Sequence, residues 1–278
     1  MNYTDLLLLG AIAGFTIFLG LPLVVLQNIS LRKKGFLNAL AIGILIFLII
    51  DVFSHGWESA ANVAAGAFAG QLPPSDAVLD LLAVFGGLAI GLLGLVWYET
   101  RYMMKERLPV SPKAAGSPSE SLILERRNAY RFAMMIAIGI GAHNFSEGLA
   151  IGQSYASGAM GLAVLLIIGF GAHNTTEGFG IAGPLTGLAE RPSISFLLKA
   201  GLIGGGPTFI GTVVGSLWIS TQAYILFLSI AGGSLIYVSL LMYNVARRQA
   251  ANDLLMLGIF VGLCAGFLTD LIVTLGGA

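Results

Sequence analysis

Ile138-Gly-Ile-Gly-Ala-His-Asn-Phe-Ser-Glu-Gly-Leu-Ala-Ile151 is followed, thirty residues later, by Ile168-Gly-Phe-Gly-Ala-His-Asn-Thr-Thr-Glu-Gly-Phe-Gly-Ile181, and nine of the fourteen paired positions are identical. Each copy sits inside an otherwise apolar, helix-length segment. Residues four apart share one face of a helix, so His143 lies over Glu147 and His173 over Glu177. Placing an ionised side chain in hydrocarbon costs about 2.5–3.5 kcal/mol on insertion scales. A chain that accepts that cost twice, with two of its three histidines, is built to bind something there.

The surroundings of the repeat fix the class of protein. Of 278 residues 56% are hydrophobic and only 10% charged, and the mean hydropathy is +0.89. That balance belongs to an all-α integral membrane protein. Apolar runs long enough to span ~30 Å of hydrocarbon fall near 5–28, 37–60, 77–104, 129–153, 159–183, 194–219, 222–246 and 253–276. They predict eight transmembrane helices, here called segments 1 to 8, in a single domain covering 1–278.

Basic residues orient the segments, because lysine and arginine are retained in short cytoplasmic loops. All fourteen lie in or beside the 1/2, 3/4, 5/6 and 7/8 connections, from Arg32, Lys33 and Lys34 to Arg247 and Arg248. With an even number of crossings, the N-terminus and C-terminus are both expected outside. Met1-Asn-Tyr-Thr-Asp5 lacks the positive n-region and cleavage site of a signal peptide, so segment 1 is expected to remain as a helix. Residues 105–127 carry Pro109, Pro112 and Pro118 and read as a flexible cytoplasmic linker. This linker holds no histidine for metal sensing. Ser59 to Ser75 reads as a short outer loop. Gly204-Gly-Gly-Pro207 predicts a kink or break in segment 6, since proline removes a helical hydrogen bond. Cys264 is the lone cysteine, which excludes an intrachain disulfide and a thiolate-rich metal site. Zero formal net charge points to no nucleic-acid partner.

Segments 4 and 5 run in opposite directions, and both motifs lie roughly 20 Å in from the turn near Ser157 at 1.5 Å per residue. A pseudo-two-fold axis in the membrane plane brings them face to face. His143, Glu147, His173 and Glu177 then meet as two imidazoles and two carboxylates, whose charges neutralise one divalent cation. Such a set suits zinc and also iron, manganese, cobalt or cadmium, while the absence of thiolate argues against cuprous copper. Asn144 and Asn174 stand beside the histidines as weak oxygen ligands of a secondary metal or as partners that hold the carboxylates.

These motifs resemble those of the Zrt/Irt-like (ZIP) metal transporters, and the resemblance covers the whole chain. It implies eight helices with both termini outside, a metal pathway on segments 4 and 5, and often a homodimer. The HN-x-x-EG sequences at His143 and His173 carry it. Three departures accompany it: Ser146 and Thr176 replace the proline that commonly precedes the motif glutamate, Gly206 stands before Pro207 where many members have Glu, and the 3/4 linker lacks histidine.

Asp51, Ser54, His55 and Glu58 follow i, i+3, i+4, i+7 spacing on one face of segment 2. They read as an outer approach for cations or, equally, as a polar network sealing that helix to its neighbours. Asp5, Asp76 and Asp80 are expected at the solvated outer surface, and Asp270 in segment 8 as a further source of negative potential at the entrance. The sequence thus predicts a multi-pass protein of the cell membrane that moves a divalent metal ion, its substrate rather than a cofactor, toward the cytoplasm. A metal-binding sensor or transport-deficient relative is the alternative reading. An enzyme is not expected, because no HExxH zinc-hydrolase signature occurs.

Overall fold

The computed structural model describes residues 2–22, 30–103, 118–156, 158, 160–218 and 220–275. Among them the secondary structure is helical throughout: α1 (Tyr3–Phe15), α2 (Ile17–Gly20), α3 (Leu31–Phe68), α4 (Pro74–Tyr98), α5 (Pro118–Ala156), α6 (Met160–Ala182), α7 (Ile194–Leu217), α8 (Thr221–Ala246) and α9 (Asn252–Leu275). Seven stretches in the described residues are long and apolar enough to cross a membrane, from Tyr3–Gly20 to Asn252–Leu271. Helix α6, with its 23 residues, lies between two of them.

Local chemistry sets several boundaries. Asn2 caps α1 by accepting from the Asp5 N–H while the Asp5 carboxylate takes the Asn2 N–H, a reciprocal capping box. Asp5 is thus an exposed cap, whereas Asp80 overturns its surface expectation. It is fully buried and accepts from Gln222 Nε2 at 3.0 Å, because α8 packs over the outer part of α4. Ser30 and Ser193 cap α3 and α7 through their hydroxyls, and Pro74 opens α4 at a position where its missing N–H costs nothing.

The described helices differ from the expected segments in four places. Segment 1 is broken at Thr16, whose hydroxyl bonds back to the Ala13 carbonyl at 2.6 Å, and its part from 23 to 28 lies outside the described residues. Segment 2 becomes a 38-residue helix, since Ala, Gly and Asn after Ser59 carry no helix-stopping signal before Gly70, which takes the left-handed φ of +72°. The outer loop shrinks accordingly. Helix α5 begins at Pro118, inside the expected linker, and 104–117 lie outside the described residues. Helix α7 runs unbroken through Pro207. Pro207 leaves the Ile203 carbonyl without its usual intrahelical donor, and Gly141 of α5 covers that oxygen so closely that a Cβ there would sit 2.3 Å from it. The neighbouring helix shields what the proline exposes.

The helices pack as two groups. Helix α5 lies along α7 and α6, and α1 rests on α6 and α7; α3 packs on α8 and α9, and α4 on α8. The groups meet along α5/α8, α6/α9 and α3/α6, around a core that includes Leu45, Leu48, Ile136, Ile140, Ile181 and Leu235. Lys34–Glu125, Asn38–Gln249 and Arg126–Glu190 contacts bring the 1/2, 3/4, 5/6 and 7/8 connections to one basic end of the bundle.

Candidate metal centre

Both motifs lie within unbroken helix, on α5 and α6. Ser146 keeps the backbone N–H that a proline would remove, so α5 stays helical where the family pattern has a kink. Small residues let the motif helices come close to their neighbours. A Cβ at Gly148 would lie 2.1 Å from the Thr208 carbonyl of α7, and one at Gly178 would lie 2.2 Å from the Ile17 carbonyl of α2. Each motif is therefore clamped against a different helix by the glycine that follows its glutamate.

His143, Glu147 and Glu177 converge in this contact. The His143 Nε2 is 3.2 Å from Glu147 Oε1 and 3.9 Å from Glu177 Oε1. All three side chains are buried, with Glu177 wholly inaccessible. Charged groups removed from water this completely are held in place only by partners of opposite charge or by hydrogen bonds. Asn144 Nδ2 supplies one such bond to Glu177 Oε2 at 2.9 Å and donates to the Gly204 carbonyl at 2.9 Å. Asn144 thus ties the second motif's carboxylate to α7. Asn174, also fully buried, donates instead to the Ala13 carbonyl at 2.9 Å and to Thr208 Oγ1 at 3.5 Å. The carbonyl oxygens of both asparagines, Oδ1 in each, are buried without a hydrogen-bond donor.

Of the four predicted ligands the structure joins three; the side chain of His173 lies outside the described residues. Among the described residues no three His, Cys, Asp or Glu side chains are already arranged in ligand geometry. The His143 Nε2 lies nearer the Glu147 carboxylate than that of Glu177.

The stripe on α3 points away from the packing. Ser54, His55 and Glu58 are exposed, Ser54 bonds the Ile50 carbonyl, and His55 Nδ1 pairs within the helix with Asp51. A network sealing α3 to its neighbours is not what these residues form. Asp51, itself partly buried, is within electrostatic range of His143, Glu147 and Glu177. Asp270 of α9 interacts electrostatically with Asp51 and His55.

Three participants were not legible in the sequence: the carbonyls of Ala13 and Gly204, and Thr208. The backbone groups carry no side-chain signal, and Thr208 reads as one more small residue of α7. Gly206 proves to be on the outward stripe of α7, four residues from Leu202 and from Ile210, which are 51% and 54% exposed, and a Cβ there would meet nothing within 4 Å. A glutamate at 206 would point away from the paired motif, so its absence leaves the cluster intact.

The sequence profile of the ZIP zinc transporter family matches residues 104–273, more than half of the chain and both motifs. The chain belongs to this family. No individual curated protein shows significant similarity to it. ZIP proteins are transporters rather than enzymes, and membership implies carriage of a divalent metal cation across a membrane. In this ZIP chain the apolar helices supply the membrane-embedded body, and both copies of the polar motif fall within the matched residues.

Proposed function

We propose that the chain carries a divalent metal ion, zinc before iron, manganese, cobalt or cadmium, from outside toward the cytoplasm through a site made by His143, Glu147, His173 and Glu177. The convergence of His143, Glu147 and Glu177 in a buried contact between α5 and α6 carries this reading. Two carboxylates balance one divalent charge, and imidazole with carboxylate suits zinc. Asn144 holds Glu177, an arrangement in which outer-shell partners orient a ligand; Asn144 and Asn174 also offer their carbonyl oxygens to a weaker secondary ion. Asp51, His55 and Glu58 form the outer approach.

The membrane arrangement follows the same logic. Eight crossings are supported by α6, whose 23 residues rise about 34 Å between two of the seven apolar spans. The gathering of the basic connections at one end supports a cytoplasmic placement of that end, with both termini outside, in the cell membrane. Assembly as a homodimer belongs to the same reading. Binding begins with displacement of the His143–Glu147 contact by the ion, and release restores it.

Radioactive zinc uptake into proteoliposomes, for the unsubstituted chain and for His173→Ala and Glu177→Ala, tests the proposal. Saturable uptake lost in both variants, with iron, manganese and cadmium competing to different degrees, is the expected result. Zinc binding without flux in the unsubstituted chain would instead identify a sensor or transport-deficient relative.

A further inference from the structure

At the basic end the structure holds a cavity of about 150 Å³ lined by residues of both helix groups, among them Lys34 and Asn38 of α3, Glu125 and Ala129 of α5, and Gln249 after α8. The Lys34 ammonium is bound to Glu125 Oε1 at 2.5 Å, with the lysine side chain 7% and the glutamate 49% exposed. Lysine is seldom buried so fully without a task, because its ammonium is strongly hydrated in water. Beside it Asn38, 3% exposed, donates to Gln249 Oε1 at 2.7 Å, while its own Oδ1 is buried without a donor. An unsatisfied buried carbonyl costs free energy and is a natural acceptor for a cation.

The cavity lies in line with the paired motif. Glu125, Ala129, Phe132, Ile136, Ile140, His143 and Glu147 follow one another at intervals of three or four, so they share one face of α5. From Glu125 to His143 this face runs about 27 Å. Its middle is closed by Ile136 and Ile140, both wholly buried. Beyond this apolar layer, the Lys34–Glu125 pair bridges the group containing α3 to the group containing α5.

The geometry points to Lys34 as a tethered cation that latches the exit, neutralising Glu125 and holding the two helix groups together until the leaving metal ion takes its place among Glu125 and the Asn38 carbonyl. This inference rests on the transport reading above. It makes Lys34 and Glu125 positioning residues of the release step, distinct from the ligands on α5 and α6.

The test is thiol accessibility in purified protein. Ala129→Cys, placed in a Cys264→Ala background, puts a single thiol on the buried wall of the cavity, where reaction with a bulky, charged thiol reagent reports opening. Lys34→Gln, which leaves only the half-exposed Glu125 without its partner, should raise the labelling rate several-fold. The exchanged pair Lys34→Glu with Glu125→Lys should return it to that of the parent. Unchanged labelling in Lys34→Gln, or an exchanged pair that labels as fast as the single variant, overturns the latch. Zinc binding measured on the same proteins reports separately on the paired motif: its absence from the parent would sink the transport reading while the labelling result stood on its own.

Discussion

The two copies of the motif have the same residues and different surroundings. On α5, the asparagine directs its donors to the carboxylate of Glu177 and to the Gly204 carbonyl of the continuous helix α7. On α6, the matching asparagine turns to the Ala13 carbonyl beside the break at Thr16 and to Thr208. Thr175, one position on, also reaches that break through the Thr16 carbonyl at 3.3 Å. The first copy therefore braces the Glu177 carboxylate, whereas the second fastens α6 to the first segment. A duplicated sequence supplies identical functional groups, and the helix behind each copy decides what they do.

The largest expected effect is loss of a ligand shared between the copies. Glu177→Ala should reduce saturable zinc uptake to the background of empty proteoliposomes, and retention of half the parent rate would remove Glu177 from the site. Asn144→Ala should weaken zinc binding by about 10–100-fold, the usual cost of losing an outer-shell partner. Asn174→Ala should lower the melting temperature more than the affinity. Equal affinity losses in the two asparagine variants, measured by titration calorimetry, would erase the distinction drawn between the copies.

Proton competition comes next. Histidine and carboxylate ligands must be deprotonated to bind metal, so uptake should decline as pH falls from about 8 to 5, by about tenfold per unit in the acid limb if one proton is displaced per ion. Transport that is flat across that range would contradict a His–Glu ligand set.

Smaller effects sharpen the packing contrast. Gly148→Ala drives a methyl onto the Thr208 carbonyl and should destabilise the protein by about 1–3 kcal/mol. Gly171→Ala, where a Cβ would find its nearest atom at 3.6 Å, should be close to neutral in the same thermal unfolding assay. The least effect is expected from Asp51→Asn, a few-fold slower uptake at low ionic strength that vanishes as salt screens the approach.

Polarity against an apolar background made the motif readable. His143, Glu147 and Glu177 are conspicuous because hydrocarbon-length helices rarely carry such groups, and the fourfold spacing assigns their face. The all-helical, membrane-spanning character followed from apolar length, and the common basic end from lysine and arginine positions. What could not be read depends on a partner that only the fold brings near. Thr16 breaks the first segment where α6 offers donors to its carbonyls. Pro207 leaves α7 unbroken because Gly141 lies against the Ile203 oxygen. Asp80 looks like a surface acid until α8 covers it, and Lys34 looks like one more basic loop residue until Glu125 arrives from 91 positions away.

Helices α3 and α5, at 38 and 39 residues, are each about 57 Å long, nearly twice the hydrocarbon thickness. Each is longer than a single crossing needs. Their ends are the tips of levers whose fulcrum is the contact between the two helix groups. Tilting such a rod by about 5° sweeps its tip through about 5 Å relative to its far end. Small adjustments at that contact are thereby magnified at the tips, which makes Phe68, already 97% exposed, a favourable place to attach a reporter of motion between the helix groups.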